Sequence, residues 1–187
     1  MKVIHMVYVA LFTAIMAVLG VVPAIYLAFT PVPIVLQNMG VMLSGSMLGA
    51  RLGALSQLLF LALVAAGAPV LTGGRGGLAV FFGVSGGYLI AYPIAAFVVG
   101  LLLARMQKPT YWRFLAANIL GGVLVVYAIG IPYQAFMMDI SLWHAIVISS
   151  VYIPGDLLKA VVASYLALRV RKHMSIHDKA GPMKQAG

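Results

Sequence analysis

Residues 76–104 read GGLAVFFGVSGGYLIAYPIAAFVVGLLLA, without one Asp, Glu, Lys or Arg. The stretches 6–50, 52–74 and 114–138 are equally free of charged side chains. Each is long enough for one or two bilayer-crossing helices of about 20 residues. Charged residues make up 8% of the chain, against roughly a quarter in soluble domains. The pattern predicts an all-α polytopic membrane protein, because an outer-membrane barrel would alternate apolar and polar residues along short strands.

Turn residues and charges divide these stretches into six predicted transmembrane helices. The predicted spans are residues 7–27, 34–48, 53–66, 86–103 and 113–131, with a last span that begins at Pro154. Proline fits the first turn of a helix, where its missing N–H is no loss. A short apolar helix over 142–151 is expected to be re-entrant or interfacial, before the last span. Residues 1–170 then form a single membrane domain, and 171–187 form a polar, basic cytoplasmic tail.

The placement of the basic residues predicts the orientation. Threading six spans from an internal N-terminus puts ten of the twelve Lys and Arg residues inside, as the positive-inside rule requires. The two exceptions are Arg75, in an external Gly-rich loop, and Lys159, inside the last span. The net charge of +9 therefore reflects membrane topology rather than binding of nucleic acid. Binding of a ligand explains the positions of these two cations better than membrane topology does.

Residues 152–159 read YIPGDLLK and carry one of the three acidic residues of the chain. On a helix, Asp156 and Lys159 share one face and lie within reach of each other. Charges at membrane depth are costly, so this pair is a candidate functional site. A carboxylate and an ammonium group together suit an amide or a urea, or the lysine takes an anion. A purely structural ion pair is the alternative.

The loop over residues 71–77 reads LTGGRGG. Glycines such as Gly74 and Gly76 let a backbone approach a ligand closely. The forked guanidinium group of Arg75 between them suits a carboxylate. The loop is therefore a candidate lid or anion site, with a flexible external loop and a chance arginine as the alternative.

Polar side chains at the starts of two other spans are further candidates. Gln37 and Asn38 are amides in a hydrocarbon environment and need partners. Inter-helix hydrogen bonds and ligand contacts are equally open for them. Ser85 and Tyr88 begin the fourth span, whose small residues recur every four positions and predict close helix packing. Whether those two side chains face a cavity is left open.

Several function classes are excluded or unsupported by the sequence. The chain has no cysteine, which excludes disulfides, thiolate catalysis and Cys-based metal sites. It has no Walker A, HExxH or GxSxG motif. We therefore expect no enzymatic activity, no metal and no cofactor in this chain.

Four motifs in order resemble the BioY family, the biotin-binding S components of energy-coupling factor transporters. They are residues 31–37 (PVPIVLQ), 73–77 (GGRGG), 85–88 (SGGY) and 153–159 (IPGDLLK), and the resemblance covers residues 6–170. It implies a prokaryotic plasma-membrane protein with its vitamin site near the external face. It also implies a transmembrane coupling protein and two ABC-type ATPases as partners, which use ATP, with lipids around the chain. Ala10 and Ala14 have a small-xxx-small spacing for which packing inside the bundle is the default expectation and docking of a partner the alternative. They match the family's AxxxA surface, which meets the coupling protein.

The resemblance also implies roles for individual residues. Asp156 and Lys159 match the family's ligand-contacting pair, so we expect Asp156 to accept a ureido N–H and Lys159 to donate to an oxygen of biotin. Arg75, where some members have asparagine, is expected to approach the biotin carboxylate, and Tyr88 to pack on the bicycle. Leu89 stands where some members have arginine. An S component for a different small vitamin, or a membrane assembly protein without a transport role, are the alternative functions.

Overall fold

The computed structural model describes residues 2–24, 32–105 and 110–171. The long elements within these ranges are helices: α1 (Val3–Val21), α2 (Gln37–Ala65), α3 (Gly86–Ala104), α4 (Tyr111–Met138), α5 (Leu142–Ser150) and α6 (Ile153–Arg171). A 3₁₀ turn over Leu78–Phe82 precedes α3. These ranges contain no β-strand, as the sequence predicts, and an isolated bridge joins Leu71 to Arg75. Apart from residue 171, the predicted tail lies outside the described residues.

Most of these helices are long and apolar enough to cross a bilayer. Within the described ranges four pass that test, namely α1 to α4, and α5 with α6 adds a fifth if the bent pair counts as one span. In a helix the backbone N–H and C=O groups bond to one another, and this is necessary in a bilayer because lipid tails offer no hydrogen-bond partners. The chain is therefore a multi-pass helical membrane protein, as its composition predicts.

Helix α2 reverses direction at Gly49. The backbone there has φ 79° and ψ −178°, a conformation that favours glycine. On either side, Gln57 Nε2 donates to Ser44 Oγ at 2.9 Å. In a straight helix these residues would lie roughly 20 Å apart along the axis. Residues 37–48 and 50–65 are thus two antiparallel arms, called the first and second arm below, which correspond to the predicted second and third spans.

Two helix ends differ from the prediction, and proline explains both. Helix α1 ends at Val21 instead of continuing to residue 27, because Pro23 disfavours helical backbone at Val22, which is extended. Helix α4 continues past Pro132 to Met138, although the predicted fifth span ends at residue 131. Transmembrane helices tolerate an internal proline where neighbouring groups and local π turns accommodate the freed carbonyl groups. Closer to its start, α4 also contains a π-helical segment, Asn118–Leu124.

Helix α3 lies at the centre of the bundle, where it packs against α2 and α4. Small residues permit the close approach. A Cβ atom on Gly45 would meet the carbonyl oxygen of Ala96, and one on Gly87 would meet the ring of Tyr133. Such contacts are typical of helix pairs in membranes, where van der Waals packing replaces the hydrophobic effect.

Candidate ligand-binding cavity

A cavity opens at the end of the bundle opposite the Gly49 turn. Its walls are the starts of the first arm, α3 and α6, the middle of α4, and the loop that carries Arg75. The cavity has a volume of about 70 Å³, which is enough for several waters. Because consecutive helices run in alternating directions, the loops at this end are the ones that the charge pattern predicts to be external.

The ion pair predicted from residues 152–159 is present in the cavity wall. Lys159 Nζ lies 2.8 Å from Asp156 Oδ1, and both residues line the cavity. They are only 8% and 5% exposed, so this is a buried pair. Asp156 lies in the first turn of α6, where the helix dipole favours a negative charge. The sequence prediction of their proximity is therefore confirmed.

Two further side chains hold the carboxylate of Asp156. The hydroxyl of Tyr127, in α4, donates to Oδ2 at 2.6 Å. Nδ2 of Asn38, in the first arm, donates to Oδ1 at 3.3 Å. The carboxylate thus joins three helices and accepts three hydrogen bonds, two of them at Oδ1.

Gln37, which precedes Asn38, also lines the cavity, but its amide is fully occupied. Nε2 donates to the carbonyl oxygens of Met16 at 3.1 Å and Val70 at 2.9 Å. Oε1 accepts from the backbone N–H and the hydroxyl of Thr72. From the start of α2, Gln37 therefore connects the loop over residues 70–72 to α1. Gly20 makes room for it, because a Cβ there would lie 2.8 Å from Nε2.

The loop that is hydrogen-bonded to Gln37 also contains Arg75, which lies at the cavity. Arg75 lines it, is exposed, and donates from Nε to the carbonyl oxygen of Thr72 at 3.3 Å. The other two candidates of the loop lie outside this cavity lining. Gly74 faces a second hollow near the end of α1, and Gly76 packs against Ala68, whose oxygen a Cβ would meet.

Ser85 and Tyr88 both line the cavity from the start of α3. The hydroxyl of Tyr88 points away to α4 and α5, where it donates to Gln134 Oε1 at 2.7 Å and bonds Ser149 Oγ at 3.2 Å. Its ring meets that of Tyr127 edge to face, with centroids 6.5 Å apart. Tyr88 therefore presents an aromatic surface to the cavity rather than a hydrogen-bonding group.

Comparison with known proteins agrees with this geometry. The family model described as BioY family matches residues 1–176. The chain belongs to the BioY family. A probable biotin transporter BioY of Bacillus subtilis is 51% identical, with 95% of this chain and 96% of the relative covered. The biotin transporter BioY of Rhizobium etli is 48% identical over 86% of this chain and 89% of the relative.

A solved structure, described as the S-component for biotin from an ECF-type ABC transporter, has the same fold. It superposes with a TM-score of 0.88 at 40% identity, and the match covers 91% of this chain and 92% of that one. The resemblance to the BioY family that the four motifs carry is thereby confirmed. The relatives are named as transporters, which agrees with the expectation that this chain is not an enzyme.

Sequence reasoning did not single out several residues of this BioY cavity. Tyr127 bonds the central carboxylate, while Tyr92 and Tyr152 also line the walls. The available signal was their position: Tyr92 and Tyr127 lie deep inside uncharged stretches, away from the interface where tyrosine is usual. Leu89 lines the cavity as well and makes its wall apolar there.

The predicted partner surface of this BioY chain is on α1. Ala10 and Ala14 are both exposed, on a face that also shows Val7, Leu11 and Val18. The opposite face, with Phe12 and Met16, is buried in the bundle. The AxxxA surface is therefore available to lipid or to another membrane protein.

Proposed function

We propose that this chain is the membrane-embedded, biotin-binding S component of an energy-coupling factor transporter, which captures biotin from outside and delivers it inward. One observation carries the proposal: in a chain of the BioY family, the buried Asp156–Lys159 pair borders a cavity. Ionisable groups at membrane depth are costly to keep, so they mark functional sites. An apolar pocket with a few convergent polar groups is the usual form of a small-molecule site.

The groups around the cavity match the chemistry of biotin, which has a urea ring, an apolar sulfur ring and a carboxylate tail. Lys159 donates to the ureido oxygen, and Asp156 accepts one ureido N–H through the free acceptor position on Oδ2. Tyr88 packs on the bicycle. Arg75, at the loop, meets the carboxylate of the tail. Ser85 and Gln37 line the loop side of the site, and Gly74 and Gly76 contribute only as neighbours of Arg75 in the loop.

The proposed topology has six spans, because the two arms of α2 cross the membrane separately. Both termini lie inside, and the cavity faces the exterior of a prokaryotic cytoplasmic membrane. The positive-inside rule supports this orientation: Lys2, Arg51, Arg105, Arg113 and Arg169 all lie near helix ends remote from the cavity. Helix α5 is then an interfacial or re-entrant segment before the last span.

The proposed partners follow from the family. A transmembrane coupling protein docks on α1 at Ala10 and Ala14, because small residues let two helices approach closely. Two ABC-type ATPases hydrolyse the ATP, and the chain itself needs no cofactor or metal. Membrane lipids cover the remaining apolar surface, and nucleic acid is not a partner.

Direct binding measurements test the proposal. The chain, purified in lipid nanodiscs, is titrated calorimetrically with biotin, thiamine and riboflavin, and co-purified ligands are identified by mass spectrometry. We expect saturable one-site binding of biotin and no heat with the other two. Tight binding of a different vitamin would replace biotin as the substrate, and binding of none would favour an assembly protein.

Substitution of the α1 surface separates binding from transport. Ala14→Leu adds bulk where close helix approach is proposed, so uptake of labelled biotin by cells with the complete transporter should fall at least tenfold. Biotin affinity of the isolated chain should not change, because Ala14 lies outside the cavity lining. Val18→Leu, on the same exposed face, is the matched control and should leave uptake unchanged. Normal uptake by the Ala14 variant would contradict docking at this surface.

A further inference from the structure

The amide of Asn38 leaves one polar atom without a partner at the cavity. Asn38 is 6% exposed and lines the cavity, and its Oδ1 has no hydrogen-bond partner among the described residues. A buried acceptor without a partner keeps the full cost of its desolvation. Nearly all buried polar groups are satisfied in native proteins, so an exception beside a cavity requires a reason.

The orientation of this amide follows from chemistry. Nδ2 of Asn38 lies 3.3 Å from Asp156 Oδ1, which also accepts from Lys159 Nζ at 2.8 Å. An ionised carboxylate has no proton to donate, so the amide must turn its NH₂ group toward it. Because the flip is fixed in this way, the atom without a partner is the carbonyl oxygen. The wall of the cavity therefore contains a buried acceptor without a partner among the described residues, which only a donor can satisfy.

We propose that Asn38 Oδ1 accepts a hydrogen bond from one ureido N–H of biotin and makes the site specific for a donor at that ring position. This inference rests on the proposed function. The urea ring carries two N–H donors, while the carboxylate of Asp156 has one acceptor position left, on Oδ2. Asn38 supplies the acceptor for the second N–H, and all polar atoms of the ring are then matched.

Comparison with two other buried amides, those of Gln37 and Gln57, shows what is particular to Asn38. Gln37 also lines the cavity, but its oxygen and nitrogen are already bonded to α1 and the external loop. Gln57, in the second arm, has an unpartnered Oε1 as well, yet it does not line the cavity. Asn38 alone among these three combines an unfilled acceptor with a place in the cavity wall. Gln57 provides a chemically matched control.

A double-mutant cycle between protein and ligand tests the inference. The ligands are biotin and its two cyclic carbamate analogues, in each of which one ring N–H is replaced by oxygen at nearly equal volume. Calorimetry in nanodiscs compares the wild-type chain with Asn38→Leu and with Gln57→Leu. We expect Asn38→Leu to bind biotin about 10- to 100-fold more weakly, as for loss of a buried hydrogen bond.

The quantity that decides the test is the loss of affinity of each carbamate relative to biotin. In the wild type, one of the two analogues should bind about 10- to 100-fold more weakly than biotin because oxygen then faces Oδ1. In Asn38→Leu that penalty should shrink to a few-fold, whereas Gln57→Leu should keep it. Equal penalties in the wild type and Asn38→Leu for both analogues would overturn the inference.

The remaining outcomes are also decisive. If Asn38→Leu does not purify as a monodisperse protein, Asn38→Ser replaces it in the cycle, because serine is too short to reach the same ligand atom. Equal binding of biotin and both carbamates by the wild type overturns the inference without any variant. Absence of biotin binding by the wild type instead overturns the proposed function on which it rests.

Discussion

Two polar layers connect the same three helices of this protein, and they differ in charge and in surroundings. The outer layer joins Asn38 of the first arm, Tyr127 of α4 and Asp156 of α6. The inner layer joins Ser46, Asn118 and Ser164 of the same helices, each about two turns further from the cavity. The outer layer is charged and borders a cavity, whereas the inner layer is neutral and lies in the packed core.

The inner layer satisfies its own hydrogen bonds. Ser46 donates to Asn118 Oδ1 at 2.9 Å, Asn118 Nδ2 donates to Ser164 Oγ at 2.9 Å, and Ser164 donates to the carbonyl oxygen of Ala160. In the outer layer, Asn38 Oδ1 has no partner among the described residues. A fully satisfied buried network makes the packing of the helices rigid, whereas an unpaired buried polar group is costly. The comparison therefore supports a structural role for the inner layer and agrees with the proposed role of the outer layer in recognition.

The largest effect is expected from Asp156→Asn. The substitution leaves Lys159 buried without a counter-charge, and breaking such a pair costs about 3–5 kcal/mol. Biotin affinity should fall at least a hundredfold by calorimetry, and the melting temperature in nanodiscs should fall as well. Ser164→Ala is the control from the inner layer and should retain biotin affinity. An unchanged affinity in Asp156→Asn would remove the outer layer from the binding site.

Removing both charges separates their two effects. In Asp156→Asn combined with Lys159→Met, no isolated charge remains, and well-packed neutral replacements of buried ion pairs are often harmless to stability. The melting temperature should recover most of what the single variant loses, because Tyr127 still finds an acceptor. Biotin affinity should stay at least a hundredfold below wild type. Recovery of affinity together with stability would make the pair structural, like the inner layer.

The sequence could predict those features that depend on residues close together in the chain. Asp156 and Lys159 are three positions apart, so helical geometry alone places them together. The reversal at Gly49 was predictable because Arg51 interrupts two uncharged stretches. The bonds of Asp156 to Asn38 and Tyr127 join residues 118 and 29 positions apart, and only the packing of three helices determines them.

Helix ends at proline were the other limit of prediction. Pro23 accompanies the end of α1, whereas Pro132 lies inside α4. The residue type is the same, but Val22 before Pro23 is extended, whereas Pro132 lies within a long, continuous helix. The roles of the candidate site residues toward a ligand remain predictions, since they depend on a bound molecule.

A smaller effect, on stability alone, is expected from Asn118→Leu in the inner layer. The substitution removes the amide that bridges Ser46 and Ser164, while a side chain of similar volume fills the space. Hydrogen bonds of this kind contribute about 1–2 kcal/mol, so the melting temperature should fall by several degrees. Below that temperature, biotin affinity should stay within about twofold of wild type. A tenfold loss of affinity would show that the two layers do not act separately.

The smallest effect is expected from Tyr127→Phe in the outer layer. The ring remains, with its edge-to-face contact to Tyr88, but the 2.6 Å hydrogen bond to Asp156 Oδ2 is lost. The carboxylate keeps Lys159 and Asn38, so it loses one of three constraints on its orientation. Biotin affinity should fall about three- to tenfold by calorimetry, consistent with one hydrogen bond. Tyr133→Phe removes a similar bond, to the carbonyl oxygen of Phe81 at 2.7 Å, outside the cavity lining. It should leave the affinity unchanged, and equal losses in the two variants would mean that Tyr127 acts on the bundle rather than on the ligand.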